Sequence, residues 1–297
     1  MKRKLVPWGC VVIIGLVNPG TVSHATTIAF YSDGVIQEGD TYDIVEVYDT
    51  PPVQTTVNMT GGAVGNPGYP DTGLFAYDSS TVNIAGGYSY HLYTHDSSTA
   101  NISGGLVGDW DLDGGTSIAA YDSSTINVYD GSLLTGGTFT FFELFDSSEL
   151  NVYGADIGLF LWAHCSASVN IFGGTLFDLW ISDWSTVNVY GGSVGTFLEN
   201  NPVPSTATVN FYGWGFEYKA EGSWEYLDDP ADGWWVSKLA GYGFDGSPIM
   251  YMGLPDPALN PNIKFIPEPT TVLLCALGGL WLARKRNADR IVGRQGG

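Results

Sequence analysis

Cysteine and positive charge are scarce in this chain of 297 residues. It has three cysteines, and only Cys165 lies between residues 26 and 266. This stretch, which we call the body, therefore cannot form a disulfide within itself, so side-chain packing must hold its fold. The body also has no arginine and only three lysines, Lys219, Lys238 and Lys264. It offers no basic surface for a phosphate backbone, and we expect no nucleic-acid partner.

Acidic residues, by contrast, are abundant in the body. It contains 29 of the chain's 31 aspartates and glutamates, all except Glu268 and Asp289, and its net charge is −26. Such a surface should be soluble and should attract cations, Ca²⁺ first. Long stretches of helical apolar periodicity are missing, whereas glycine, valine, isoleucine and tyrosine are frequent. This composition predicts an all-β body with many turns.

The N-terminus differs from the body. It begins with Met1-Lys2-Arg3-Lys4, continues as an apolar stretch to Val17 and reaches Ser23-His24-Ala25. A positive flank, an apolar middle and a small-x-small site are typical of a secretory signal peptide, here cleaved after Ala25. The sequence thus predicts export from the cytoplasm.

The C-terminal tail contains three elements in order. Pro267-Glu268-Pro269 precedes an apolar run from Val272 to Ala283, and Arg284-Lys285-Arg286 follows it. This arrangement resembles the PEP-CTERM sorting signal of bacteria, which a membrane transpeptidase, an exosortase, recognises. The resemblance covers residues 267–290 and implies a single C-terminal transmembrane helix.

The apolar run of this tail is short against the roughly 20 residues that span a bilayer. That length suits a transient, cleavable anchor better than a permanent one. The basic residues after the run should hold that end in the cytoplasm and leave the body outside the inner membrane. An ordinary C-terminal anchor that follows a proline-rich linker is the alternative.

The body repeats one short motif eight times. An asparagine stands between apolar residues, a glycine follows in most copies, and successive asparagines are 18 to 26 residues apart. In five copies an aspartate precedes the asparagine by five residues. The asparagines are Asn58, Asn83, Asn101, Asn127, Asn151, Asn170, Asn188 and Asn210, and the aspartates are Asp78, Asp96, Asp122, Asp146 and Asp183.

A period near 20 residues with short strands and glycine turns is typical of a solenoid, because no unit can bury a core alone. Alternation along each strand should turn valine and isoleucine inward and asparagine outward. We therefore expect an all-β parallel β-helix, a right-handed β-solenoid of about eight coils with a C-terminal cap. A propeller or a sandwich is the alternative, although propeller blades usually need ~40 residues or more.

These observations divide the chain into five segments. We predict a signal peptide over residues 1–25, an N-terminal strand or cap region over 26–56 and solenoid repeats over 57–213. A C-terminal cap follows over 214–266, and the sorting signal with its transmembrane helix over 267–290.

Stacked coils would align like residues at the spacing of ~4.8 Å between strands. The asparagines should then form a ladder of side-chain amides. The aspartates either cap turns by accepting backbone N–H bonds or share Ca²⁺, because stacked carboxylates repel one another. Cys165 takes the aspartate's place in one copy, which argues against a fixed metal role for this column.

A column of aromatic residues lies two residues after the asparagine. Its members are Tyr129, Tyr153, Phe172, Tyr190 and Tyr212. Exposed rings on a rigid β-face could stack on sugars, and the four tyrosines are the candidate glycan contacts. The alternative is a ring ladder with a structural role. His95 and His164 occupy the place of the aromatic residue that precedes the aspartate in other copies, and we expect them to be structural too.

An acidic loop lies between Asn101 and Asn127, where the spacing between successive asparagines is longest. In Asp109-Trp110-Asp111-Leu112-Asp113-Gly114, alternate carboxylates and a glycine would let the chain wrap a hard cation. Asp109, Asp111 and Asp113 are therefore candidate Ca²⁺ ligands, and Ca²⁺ is the only cofactor suggested by the sequence. A solvated acidic turn is the alternative.

No catalytic motif is evident in the body. We expect an exported surface or extracellular-matrix protein with a non-catalytic structural, adhesive or glycan-binding role. The PEP-CTERM resemblance implies an exosortase-type transpeptidase as partner, a transient inner-membrane anchor, and a matrix or biofilm that contains exopolysaccharide. The alternative is a parallel β-helix polysaccharide-degrading enzyme, either a neutral-glycan hydrolase or a Ca²⁺-dependent lyase. The lack of arginine disfavours a lyase that acts on acidic polymers.

Overall fold

The computed structural model describes residues 26–66, 69, 71–108, 116–129, 132–133, 140–199, 206–224, 235–242, 248–252 and 262–266. These residues form 23 β-strands, numbered here in chain order, and no helix occurs among them. Most strands pair in parallel with the strands one coil before and after, so the chain is stacked as a β-solenoid. The expected all-β solenoid is confirmed.

Each coil has three faces, of which the first contains the repeated motif. We call it the asparagine face. Its short strands are β2 (Gly34–Ile36), β9 (Thr99–Ile102), β12 (Thr125–Tyr129), β17 (Thr186–Val189), β19 (Thr208–Tyr212) and β23 (Ile263–Ile266). The first parts of four longer strands complete it: β5 (Thr56–Val64), β7 (Thr81–Ser89), β15 (Glu149–Ala163) and β16 (Ser168–Ile181).

The other two faces follow in each coil. The second face contains β3 (Thr41–Tyr42), β10 (Leu106–Val107), β13 (Ser132–Leu133), later parts of the longer strands and the start of β18 (Gly192–Glu199). The third face contains β1 (Thr27–Phe30), β4 (Ile44–Val47), β6 (Gly73–Ala76), β8 (Leu92–Thr94), β11 (Thr116–Ala120), β14 (Thr140–Leu144) and the ends of β15, β16 and β18.

The register on the asparagine face pairs like residues, whatever the loop length between copies. Asn127 of β12 lies opposite Asn101 of β9 and opposite Asn151 of β15. The apolar residues on either side of each asparagine point into the coil, and Val57, Met59 and their counterparts are fully buried. Burial of one such side chain stabilises the fold by about 1.5–3 kcal/mol, so the inward column holds the coils together.

Glycine makes the corner between the asparagine face and the second face. Gly87 has a φ of 84°, which favours glycine. A Cβ on Gly87 would lie 2.5 Å from the carbonyl oxygen of Gly61 in the preceding coil. The Gly-Gly element of the repeat is therefore required by both the backbone conformation and the close approach of adjacent coils.

Parallel pairing extends beyond the predicted repeats at both ends. β1 pairs with β4, and β2 pairs with β5, so the stack begins within the segment 26–56 rather than at residue 57. Near the C-terminus, β20 (Trp214–Trp224), β21 (Trp235–Tyr242) and β22 (Pro248–Met252) pair antiparallel, and β22 lies parallel on β18. β23 then returns to the asparagine face beside β19.

Several predicted elements fall outside the described residues. They are the cleavage site at Ala25, the candidate Ca²⁺ ligands Asp109, Asp111 and Asp113, and the sorting residues Pro267, Glu268, Pro269, Arg284, Lys285 and Arg286.

No part of the chain that the structure describes forms a helix long and apolar enough to cross a membrane.

Candidate functional site: the side-chain columns

The asparagines form a continuous ladder along the asparagine face. Each Nδ2 group donates to the Oδ1 atom of the asparagine one coil earlier, at 2.8–3.0 Å, and all seven bonds run in the same direction. Asn58, at the first level, only accepts within the ladder, and Asn210, at the last level, only donates. The predicted amide ladder is confirmed, and it uses the repeated asparagines for coil-to-coil contact.

The aspartate column lies in the turn that enters the asparagine face. Asp78, Asp96, Asp122, Asp146, Cys165 and Asp183 all have φ between 53° and 59°, a region that aspartate and asparagine tolerate better than most residues. A carboxylate oxygen of Asp96 accepts the backbone N–H of Asp78 at 3.0 Å, and Asp122 accepts that of Asp96 at 3.0 Å. The carboxylates thus accept backbone N–H bonds of the turns, as in the first of the two alternatives, but from the turn one coil earlier rather than from their own turn.

Cys165 interrupts the aspartate column without breaking the turn. Its N–H donates to Asp183 Oδ2 at 3.2 Å, as the aspartates do in other coils. Its own side chain has no carboxylate to offer the coil before. Among the residues that the structure describes, no group of three or more His, Cys, Asp or Glu side chains could hold a metal ion.

The predicted aromatic column is a stack of parallel rings, which we call the asparagine-face stack. Centroids of successive rings from Tyr129 to Tyr212 are 5.1, 4.9, 4.8 and 4.5 Å apart, with interplanar angles of 17° or less. The rings cover one another's faces, so their edges face outward; Tyr129 is 42% exposed and Tyr153 40%, whereas Tyr190 and Tyr212 are half-buried and hydrogen-bonded to each other. A glycan on this row would therefore meet ring edges and hydroxyls more than ring faces.

A second stack of rings, which we call the turn stack, lies just before the aspartate column. Successive centroids are 4.7–5.5 Å apart and adjacent planes are within 14°. The seven members are Tyr31, Tyr48, Tyr77, His95, Tyr121, Phe145 and His164. Both histidines are ring members, in agreement with their expected structural role, and Ser182 continues the column through a 3.2 Å contact between its Oγ and His164 Nδ1.

Burial shifts the pKa values of several turn-stack side chains in the direction that favours their neutral forms. Desolvation, helped by the nearby Glu46 carboxylate, raises the pKa of Tyr48 to about 12. Desolvation lowers the pKa of His95, although the Asp122 and Asp96 carboxylates oppose that shift, and it lowers the pKa of His164 against Glu143 and Asp183. The neutral forms of these side chains are therefore favoured in the folded protein.

A shallow cleft of about 330 Å³ opens beside the turn stack, on the third face. Its lining residues are Asp71, Phe75, Tyr93, His95 and Tyr121. The Phe75 and Tyr93 rings are stacked at 5.0 Å, on adjacent coils. Aromatic walls with a few polar groups, here one carboxylate, one imidazole and two hydroxyls, are a common lining of ligand sites. The sequence repeat gives no signal for this cleft, because Asp71, Phe75 and Tyr93 lie outside the repeated motif.

Comparisons with protein-family models, with curated proteins and with solved structures found no match to this chain.

Proposed function

We propose that this protein is an exported surface or extracellular-matrix protein with a non-catalytic structural, adhesive or glycan-binding role. An exosortase-type transpeptidase sorts it, and a transient inner-membrane anchor precedes its release to the cell surface or the matrix. Support for export and sorting comes from the signal-like residues up to Ala25 and from the PEP-CTERM resemblance at Pro267–Pro269 and Arg284–Arg286.

The observation that carries the structural role is the use of the repeated side chains. The asparagines bond to one another, the aspartates cap turns and the rings stack on rings, so each repeated residue connects one coil to the next. Such columns favour a stiff rod whose length grows with the number of repeats. The eight asparagines support a solenoid of about eight coils, for which we propose the right-handed sense, with a membrane helix in the tail.

Glycan binding is the adhesive mechanism that we propose for this rod. Ring edges recur once per coil from Tyr129 to Tyr212, and the hydroxyls of Tyr129, Tyr153, Tyr190 and Tyr212 add polar groups to this row on every coil except that of Phe172. A repeated polymer can contact several rungs at once, so weak contacts add up. An acidic body favours a neutral exopolysaccharide as the partner, because an acidic polymer would be repelled. Ca²⁺ at Asp109, Asp111 and Asp113 is an additional proposal, carried by the spacing of these carboxylates.

The test of this function combines binding and cleavage in one experiment. The protein is incubated with a panel of neutral and acidic polysaccharides, with and without Ca²⁺, and both pull-down and release of new chain ends are measured. We expect pull-down of a neutral polymer without new ends. A double variant with Tyr153→Ser and Tyr190→Ser should weaken the pull-down. The control Tyr42→Ser, which lies outside the asparagine-face stack, should not.

New chain ends would contradict the non-catalytic role and favour the polysaccharide-degrading enzyme. If new ends disappeared after Asp109, Asp111 and Asp113 were changed to asparagine, the Ca²⁺-dependent lyase would be the better description. Absence of both pull-down and cleavage would remove the glycan partner and leave a structural rod.

A further inference from the structure

The two ends of the solenoid differ. At the C-terminal end, the antiparallel strands β20 to β22 continue the second face. At the N-terminal end, β1 pairs only with β4, β2 only with β5 and β3 only with β5, among the residues that the structure describes. Within the part of the chain that the structure describes, one edge of the first coil is therefore unpaired on all three faces.

The hydrogen bonds of β1 show which groups point away from the stack. The carbonyl of Thr26 accepts from Ile44, and that of Phe30 accepts from Tyr48. In a parallel ladder alternate residues bond to the same neighbour, so Ile28 also faces β4. The N–H and C=O groups of Thr27 and Ala29 point to the open edge, where another strand can pair with them.

Two columns of the rod also end at this coil. Tyr31 is the last ring of the turn stack and is 48% exposed, and Val35 lies opposite Asn58 and is 57% exposed. Exposed apolar side chains beside an unpaired edge are typical of a surface that joins another chain. The strand residues there are uncharged, whereas the acidic residues Asp33, Glu38 and Asp40 lie in the turns around them.

The position of the predicted cleavage site leaves this edge uncovered. Cleavage after Ala25 makes Thr26 the first residue, and β1 begins at Thr27. A processed chain then has one residue before its first strand, too little to form a cap over it.

We propose that the first coil joins the first coil of a second copy, end to end. β1 pairs antiparallel with β1 of that copy around a two-fold axis, so that two rods become one of double length. A two-fold contact uses the same surface on both copies and closes after two chains. Assembly stops at a dimer because the opposite end of each rod carries a different set of strands and does not present this edge. This inference rests on the signal cleavage in the proposed function.

The like charges of the two acidic ends give the dimer a characteristic salt dependence. Carboxylates of the turns approach those of the second copy, and salt screens this repulsion over a Debye length of about 8 Å at 0.15 M. Dimerisation should therefore become stronger as NaCl rises, opposite to an interface held by ion pairs.

The experiment uses the chain that begins at Thr26 and keeps its C-terminus, studied in mild detergent by sedimentation at several concentrations. We expect a monomer–dimer equilibrium that shifts toward dimer between 0.05 and 0.5 M NaCl. Ala29→Pro removes an outward N–H at an edge position that tolerates proline, and it should raise the dissociation constant at least about tenfold, equivalent to about 1.4 kcal/mol.

A second variant keeps the test valid if Ala29→Pro fails to fold. Val35→Asp places a charge on the open edge and should also raise the dissociation constant about tenfold. Its matched control is Ala85→Asp, the same charge on an exposed residue of the same face but on a strand paired on both sides; it should leave dimerisation unchanged. Thermal melting checks that each variant is folded.

A chain that stays monomeric over this range would overturn the inference, as would a dimer that is insensitive to both edge variants. Continuous growth into filaments would contradict the two-fold arrangement. Polysaccharide pull-down by the parent chain separates the two proposals: if the parent chain never dimerises at any salt concentration while its pull-down persists, the inference fails and the proposed function stands.

Discussion

The hydrogen bonds of the asparagine ladder all point in one direction, and this direction predicts which positions of the ladder tolerate a carboxylate. Every Nδ2 group donates toward the N-terminal end of the rod. Aspartate can accept a hydrogen bond but, when ionised, cannot donate one. Asn58→Asp should therefore keep its bond from Asn83, whereas Asn127→Asp should lose its bond to Asn101.

The magnitudes follow from the bonds at each level. Asn127 donates to Asn101 at 2.8 Å and accepts from Asn151 at 3.0 Å. Asn127→Ala removes both bonds, and at roughly 0.5–1.5 kcal/mol each it should cost about 1–3 kcal/mol. Asn127→Asp keeps one bond but sets a carboxylate against the Asn101 oxygen, so about 2–4 kcal/mol is expected. Asn58→Asp should cost less than about 0.5 kcal/mol.

The assay is urea unfolding followed by circular dichroism at pH 7, with Asn58→Ala as the control for an end position that loses one bond. A large cost for Asn58→Asp with a small cost for Asn127→Asp would refute the direction of the ladder. Equal, near-zero costs for Asn127→Ala and Asn58→Ala would refute the ladder itself.

Three further predictions test the turn and corner residues. Gly87→Ala should destabilise the fold by more than Gly154→Ala. Both glycines have positive φ, but only a Cβ on Gly87 would meet a carbonyl oxygen at 2.5 Å. In urea unfolding we expect a loss of about 1 kcal/mol for Gly154→Ala and of at least about 3 kcal/mol for Gly87→Ala. Cys165→Asn should stabilise the fold by about 1 kcal/mol, because asparagine suits its φ of 53° and can accept the Asp146 N–H, whereas Cys165→Ala should not. His95→Phe with His164→Phe should reduce the loss of stability on acidification. The pKa of each histidine in the folded protein lies below the ordinary value of 6.5. The stability that the neutral histidines contribute is therefore present above pH 6.5 and is lost as the pH falls through their folded pKa values. Melting temperatures between pH 7.5 and 5 that fall as steeply in the double variant as in the parent protein would contradict this assignment.

The features that the sequence predicted best are those that recur at a fixed position in each copy of the repeat. Alternation over a few residues placed Val57 and Met59 inside and Asn58 outside, and the constant offset of each aspartate from its asparagine located the turns. Each of these relations is local, so a single copy shows it and the other copies reinforce it. The glycines at a fixed distance after the asparagine predicted the turn between the first and second faces in the same way.

Features without a fixed offset were harder to predict. Tyr31 and Tyr48 extend the turn stack, although no repeated asparagine follows Tyr31 in its coil. Phe75 and Tyr93 meet because loops of different length bring β6 and β8 into register. Likewise, β23 rejoins the asparagine face after an antiparallel excursion, with Lys264 opposite Asn210. Such contacts depend on stacking in three dimensions, which residue spacing alone does not determine.

The central claim is that repeated residues stack in register, one per coil, and cysteine cross-linking tests it most directly. Thr81 lies opposite Thr99 and Thr99 opposite Thr125, on parallel strands. In a background with Cys10→Ser, Cys165→Asn and Cys275→Ser, Thr81→Cys with Thr99→Cys places the two new cysteines on neighbouring strands. Their Cα atoms are about 4.8 Å apart, within the 4.4–6.8 Å that a disulfide needs. Thr81→Cys with Thr125→Cys doubles the strand spacing to about 9.6 Å and lies beyond that reach. The account predicts rapid oxidation of the first pair and none within the second; oxidation of the second pair, or of neither, would contradict it.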